Sequence, residues 1–241
     1  MTILVTGGTG QLGRELVPLL RSRDAEVAVL SRRAHPEFRR GDLDSGVGLG
    51  AALEGVDTVV HLAAGKRQEA EARNLVAACR AGGIRHLVFI SIAGIDRIPF
   101  PYYRAKLAAE GVVLDSGIPS SVLRTTQFHG FAAAPFLAQR RSPVLFAPRL
   151  SIQPIDTRDV AAELAALALG SPSGRMPDLG GPEVLTGRRL AELVSARHGW
   201  HKRTLDLALP GRTWRAFAAG YHLVPGNRAG GRTFAEYLDA S

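Results

Sequence analysis

Two short strings in this 241-residue chain combine residue types and spacings that can do chemistry. In Pro101-Tyr102-Tyr103-Arg104-Ala105-Lys106, Tyr102 and Lys106 stand one helical turn apart and share a helix face. A phenol ordinarily loses its proton near about pH 10, and a neighbouring ammonium favours the phenolate, so Lys106 is expected to bring Tyr102 toward the range of a general acid or base. Tyr103 stands close enough to take that part instead. Ser91, which closes the apolar run Leu87–Ser91, is the candidate to hydrogen-bond a substrate carbonyl or the tyrosine. Of 30 basic residues only Lys66, Lys106 and Lys202 are lysines, and 27 are arginines. Lys106 is thus a compact three-donor cation where this composition would supply a planar fork, and it suits sugar hydroxyls better. Ordinary amphipathic helices carry the same spacing, so the pair alone names no reaction.

The second string is the opening one, Thr6-Gly7-Gly8-Thr9-Gly10-Gln11-Leu12-Gly13, which follows the apolar run Ile3-Leu4-Val5. An apolar run without polar alternation is the mark of an inner parallel strand covered on both faces. Glycines at this spacing supply a tight turn, close backbone approach to a ligand and close helix–strand packing, with a pyrophosphate seated on the N-terminus of the helix that begins near Gln11. The strand before and helix after raise the string above a chance match.

Where a dinucleotide site usually carries an acidic residue for a ribose 2′-hydroxyl, about 20 residues past the glycines, this chain has Ser31, Arg32 and Arg33. A carboxylate there repels a 2′-phosphate, whereas a hydroxyl and two guanidiniums offer it hydrogen bonds and charge. The expectation is NADP(H) in preference to NAD(H), with ordinary solvated arginines as the plainer alternative. Asp42, in Arg40-Gly41-Asp42-Leu43, either receives the adenine amino group or serves a turn.

These residues need a frame of alternating elements. The pattern predicts strands at Thr2–Thr6, Glu26–Leu30, Thr58–Leu62, Leu87–Ser91 and Ser120–Arg124. Between them it predicts helices at Gln11–Arg23, weakly at Gly48–Leu53, at Gln68–Ala81 and at Tyr102–Ser116. Irregular Pro-, Gly- and Arg-rich connections are expected over Thr125–Pro154, then a helix at Thr157–Leu169, a short strand near Asp178, a helix at Arg188–His198 and an irregular tail. The fold class is α/β, a Rossmann-type doubly wound parallel sheet with a small C-terminal substrate-side region. The expectation is one domain over 1–241, about 1–125 forming the cofactor core and about 126–241 mostly the substrate side. Site residues should gather at strand ends, Leu62, Ala63 and Ala64 among them.

Composition narrows the partners. The single cysteine, Cys79, excludes an intrachain disulfide and a cysteine-built zinc site and fits a reducing cytoplasm. The N-terminus reads as a strand rather than a signal peptide, and the Ala/Leu run Val160–Leu169 is short and broken by Glu163, so a soluble cytoplasmic protein without membrane contact is expected. The net charge of +8 comes from arginines scattered along the chain without a nucleic-acid signature, so no nucleic-acid partner is expected.

Together with Val59-Val60-His61-Leu62-Ala63-Ala64, Phe89-Ile90-Ser91, Leu123-Arg124-Thr125-Thr126-Gln127-Phe128, Ile155-Asp156-Thr157-Arg158-Asp159-Val160-Ala161 and Leu179-Gly180-Gly181-Pro182-Glu183, these strings resemble the short-chain dehydrogenase/reductase superfamily, most nearly its atypical NmrA-like NAD(P)-binding branch. The resemblance covers nearly the whole chain. It implies that Gly7, Gly10 and Gly13 hold the pyrophosphate, that Ala63 and Ala64, with Leu62 beside them, line the adenosine side, and that Tyr102 and Lys106 form the Tyr-x-x-x-Lys pair. Extended members often place the catalytic Ser or Thr where this chain reads Ile92-Ala93-Gly94, which leaves Ser91 open to a structural role. The branch also includes NADP(H)-binding sensors that lack the tyrosine, which this chain keeps.

The expected function is an NADP(H)-dependent oxidoreductase on a small carbonyl, alcohol or quinone-like substrate. A non-catalytic NADP(H)-responsive regulator and a nucleotide-sugar epimerase or dehydratase are the alternatives. His61 reads as a packing residue rather than a metal ligand, and no metal site is expected. His129 either orients a substrate or is a partly exposed loop histidine, and Asp156, Arg158 and Asp159 read as a helix start. Trp214, Phe217, Tyr221 and Leu223 are expected on an apolar helix face that closes the substrate pocket or joins a homodimer.

Overall fold

In the computed structural model, which describes residues 1–33, 35–229 and 231–240, the chain opens with β1 (Thr2–Thr6), α1 (Gln11–Arg21), β2 (Glu26–Ser31), β3 (Phe38–Arg40), α2 (Leu49–Ala52) and β4 (Thr58–His61). It continues with α3 (Gln68–Ala81), β5 (His86–Ile92), α4 (Pro101–Leu114), β6 (Ser120–Thr125), α5 (His129–Leu137), β7 (Val144–Pro148), β8 (Ser151–Ile152) and α6 (Thr157–Leu169). The remainder is β9 (Gly174–Arg175), β10 (Leu185–Thr186), α7 (Gly187–Arg197), β11 (Arg203–Leu207), α8 (Arg212–Ala218) and α9 (Phe234–Asp239). The described residues form two compact units, each made of discontinuous segments.

The first unit comprises Met1–Ser91, Pro101–Arg124 and Val160–Pro177. Its sheet has the order β3-β2-β1-β4-β5-β6-β9, and the pairings β2–β3, β1–β2, β1–β4, β4–β5 and β6–β9 are parallel. This is the doubly wound Rossmann-type fold. β1 lies between β2 and β4, which is why Ile3, Leu4 and Val5 are wholly buried and show no polar alternation. The chain steps from β1 outward to β3 and then returns to β4 on the other side, so the switch point of the sheet falls at the carboxyl ends of β1 and β4. Leu4, Leu30, Leu75, Phe89 and Val113 share one core cluster, with Cys79 as a small buried hydrophobe among them.

The second unit comprises Ile92–Phe100, Thr125–Asp159 and Asp178–Ser241. Here β7 pairs in parallel with β11, β8 pairs antiparallel with β10, and Phe136, Leu145, Leu190, Val194 and Phe234 form the core. The expected irregular stretch Thr125–Pro154 instead contains α5, β7 and β8. Pro135 inside α5 masks the helical pattern, and the partners of β7 and β8 lie far along the chain. The strand expected near Asp178 forms earlier, as β9, while Leu179 makes only an isolated bridge to Thr125. The tail is also more regular than expected: β11 and α8 form, and α9 opens on a capping box in which Thr233 and Glu236 satisfy each other's backbone. Trp214 and Phe217 share α8, whereas Tyr221 and Leu223 lie beyond its end. Among the described residues no helix is long and apolar enough to cross a membrane.

Candidate functional site

The glycine turn is built by close backbone contacts that leave no room for side chains. Gly7 has a φ of +70°, and a Cβ there would stand 2.8 Å from the Ala63 nitrogen. A Cβ on Gly13 would stand 2.5 Å from the Gly7 carbonyl oxygen, so α1 approaches the turn backbone to backbone. The Gly10 N–H donates to the Gly7 carbonyl at 3.0 Å, and Arg14 N–H donates to the Gly10 carbonyl at 3.0 Å. Thr9, Gly10 and Gln11 are exposed, Leu12 and Gly13 are buried, and Gly8 packs against Val29. The N-cap of α1 is Gly10 itself, without a side-chain cap, and its first turn carries no acidic residue. A helix start of this kind offers N–H groups and the positive end of its dipole to a phosphate.

Strand register sets the flanks. Leu30 pairs with Thr6 and Ser31 closes β2 opposite Arg40, so Arg32 and Arg33 leave the sheet beside the glycine turn. Ser31 Oγ accepts the Arg33 N–H at 3.1 Å, and both guanidiniums are exposed and have no protein partner among the described residues. Asp42 serves a turn: its carboxylate accepts the Asp44 N–H and the Ser45 hydroxyl, each at 3.1 Å.

On the other flank His61 pairs with Thr6, and Thr6 Oγ1 and His61 Nδ1 share a 2.7 Å hydrogen bond. Leu62 N–H donates to the Thr6 carbonyl at 3.2 Å and Ala63 N–H to Thr6 Oγ1 at 3.3 Å, which seats Leu62, Ala63 and Ala64 against the turn. Glu71 accepts the Gly65 N–H at 3.1 Å and so ties down the loop that follows.

Helix α4 turns Tyr103, Lys106, Ala109, Glu110 and Val113 inward. Lys106 is 4 % exposed, and its Nζ stands 4.3 Å above the Phe89 ring. Among the described residues that ammonium has no hydrogen-bond partner, so its three N–H donors remain for a ligand. Burial pulls Lys106 down to about 8, against the raising influence of Glu110 and then Glu71. Burial, reinforced by the Lys106 charge, pulls His61 down to about 3, so it stands neutral. Tyr102 is 42 % exposed, and burial pushes its phenol above the ordinary value, the reverse of the lowering expected from Lys106.

Ser91 donates its hydroxyl proton to Glu110, whose carboxylate also receives Arg124 Nε at 3.1 and 3.0 Å and Arg124 Nη2 at 2.7 Å. In this arrangement Ser91 offers a ligand lone pairs and no proton. Glu71, Glu110 and Arg124 complete the surroundings of Lys106 and Ser91; the strand-end expectation reached Arg124 without giving it a role, and sequence reasoning did not name Glu71 or Glu110. The Lys106-x-x-x-Glu110 spacing was the available signal for one of them.

In the second unit His129 opens α5 and is 1 % exposed, not a loop histidine at the surface. Its Nε2 lies 3.1 Å from the Arg232 carbonyl, and its ring packs on Phe234 and Tyr237. Asp156 caps α6 by accepting the Arg158 N–H at 2.8 Å and pairs with Arg232 at 3.0 Å, a structural role as expected.

Comparison with known proteins agrees with this geometry. A family model described as NAD(P)H-binding matches residues 7–167. The chain is 31 % identical over 206 residues to the (4-alkanoyl-5-oxo-2,5-dihydrofuran-3-yl)methyl phosphate reductase of Streptomyces griseus, covering 80 % of this chain and 72 % of that protein. It is 29 % identical over 224 residues to the NAD(P)H azoreductase of Xenophilus azovorans, covering 86 % and 77 %. Among solved structures, the NADPH-dependent quinone oxidoreductase of Escherichia coli in complex with NADPH shares the fold with a TM-score of 0.84, 20 % identity and 99 % coverage of both chains.

Proposed function

The chain belongs to the NAD(P)H-binding family, and from that premise we propose that it is an NADP(H)-dependent oxidoreductase of the short-chain dehydrogenase/reductase type acting on a small carbonyl, alcohol or quinone-like substrate. The observation that carries the reading is the Lys106 side chain, 4 % exposed and without a protein hydrogen-bond partner among the described residues, in the same unit as a glycine turn whose helix start has no side-chain cap and no acidic residue in its first turn. A cation so held is completed by water or by a ligand, and we read Lys106 as a donor to a ligand. Two relatives, a reductase of a phosphorylated butenolide and an NAD(P)H azoreductase, carry reductive activities in their names and support the redox reading.

In this proposal the turn of Gly7, Gly8, Thr9, Gly10, Gln11, Leu12 and Gly13 seats the pyrophosphate on the N–H groups left open at the start of α1, the Gly10 N–H closing the turn on the Gly7 carbonyl, and Leu62, Ala63 and Ala64 wall the adenosine. Ser31, Arg32 and Arg33 receive the 2′-phosphate, which favours NADP(H) over NAD(H), and Asp42 shapes the turn behind them. Lys106 donates to ribose hydroxyls. The nicotinamide, when bound, supplies the hydride chemistry. Tyr102 delivers the proton to the substrate oxygen; in the free chain burial holds its phenol above the ordinary value, so the proton is in place at neutral pH, and a bound ligand together with Lys106 must ease its release.

Calorimetry of the whole chain with NADPH and NADH, followed by NADPH consumption over a panel of quinones, aldehydes and ketones, tests the reading. NADPH bound in preference to NADH, with turnover that Tyr102→Phe abolishes while binding persists, supports it. Tight binding without any turnover across the panel replaces it by the non-catalytic regulator. Absence of binding to either coenzyme overturns it.

A further inference from the structure

The buried charges around Lys106 are unequal in how they are held. Glu110 lies one helical turn after Lys106 on the inward face of α4 and is fixed from two strands, by the Ser91 hydroxyl at the end of β5 and by the two-nitrogen grip of Arg124 on β6. Arg175 on β9 adds a longer approach at 3.8 Å. The carboxylate is 2 % exposed and cannot rotate without abandoning these donors. Around the Lys106 ammonium stand Glu71 on α3, the neutral His61 on β4, Glu110 on its own helix and, through Glu110, Arg124 and Arg175. Glu71 spends its oxygens on the Gly65 and Arg67 N–H groups of the loop after β4.

We propose that Glu110 is a positioning residue, whose carboxylate, clamped by Arg124 and Ser91 on the same inward face of α4 as Lys106, keeps the Lys106 ammonium charged for the ligand. The fixed negative charge offsets what burial takes from Lys106, while leaving the three N–H donors free because Arg124 and Ser91 already fill the carboxylate. Ser91 is then a strut in this clamp rather than a donor to substrate. The consequence for coenzyme binding rests on the functional reading above, but the effect on Lys106 does not.

With only three lysines in the chain, ¹³Cε-lysine labelling yields three resonances, and the one lost in Lys106→Met is assigned to Lys106. Its pH titration reads the charge directly, with no coenzyme present. The wild type is expected to titrate near about 8, and Glu110→Asp, which keeps the charge, to stay close to it. Glu110→Gln should move the midpoint lower by about one pH unit or more, with Lys66 and Lys202 as unmoved references. NADPH titrations should show Glu110→Gln losing affinity at lower pH than the wild type, and no such difference in the Lys106→Met background. If Glu110→Gln does not fold, Arg124→Met makes the converse electrostatic change, removing the cation that offsets the Glu110 charge, and the Lys106 midpoint should rise. An unchanged Lys106 midpoint in folded Glu110→Gln, or one that stays or falls in Arg124→Met, overturns the proposal. A shifted midpoint in a protein that binds neither coenzyme sustains it and refutes the functional reading alone.

Discussion

Replacing Gly13 by alanine adds one methyl group at the point where α1 meets the glycine turn. That carbon would lie 2.5 Å from the Gly7 carbonyl oxygen, 2.5 Å from Gly8 Cα and 2.6 Å from the Gly8 carbonyl carbon, all backbone atoms without a rotamer to give way. Restoring an ordinary contact requires a separation of roughly 0.9 Å between helix start and turn. A displacement of that size stretches a 2.9 Å N–H to phosphate bond beyond hydrogen-bond range. Loss of one such bond to a charged group is worth about 1.5–3 kcal/mol, which makes NADPH binding about 10- to 150-fold weaker. The overpacking itself costs about 1–3 kcal/mol, a fall in Tm of about 2–12 °C. Gly10→Ala faces the same Gly7 oxygen at 3.2 Å and needs a shift of only a few tenths of an ångström, so it serves as the graded control. Calorimetric titration with NADPH, paired with thermal melts, reads both effects. If Gly13→Ala binds NADPH as tightly as the wild type, or no more weakly than Gly10→Ala, the claim that this contact aligns the helix start on the phosphates is wrong.

Further outcomes follow from the flanks and the core. Arg32→Asp should weaken NADPH by about tenfold or more while leaving NADH little changed, because it replaces a charge-assisted contact by repulsion at the 2′-phosphate; equal losses for both coenzymes would place Arg32 elsewhere. The thiol of Cys79, 0 % exposed and pushed up to about 12 by burial, should resist a thiol reagent in the native protein and react fully in denaturant. His61 is held near about 3 in the folded chain against an ordinary 6.5, so acidification across that window protonates the unfolded state first and stability falls. In His61→Asn, urea unfolding followed from neutral to acid pH should show a shallower decline than in the wild type; parallel curves would mean that another group carries the acid sensitivity.

The features legible in the chain were those governed by neighbours in sequence. β1, α3 and α6 have the bounds that periodicity and turn residues indicated, because an apolar run or an amphipathic helix signals itself within one element. The glycine turn and the basic residues after β2 were legible for the same reason. Local pattern also placed Tyr102 and Lys106 one turn apart, but it was silent on which side of α4 would face the sheet. Packing of α4 decided that: Tyr103, Lys106 and Glu110 turned inward, and Tyr102 was left half in solvent. The grip of Arg124 on Glu110, the capture of the Ser91 proton and the pairing of β7 with β11 each join segments remote in sequence. Only chain folding creates those partnerships, since a buried charge finds its counter-charge through the geometry of neighbouring strands and not through spacing along one of them.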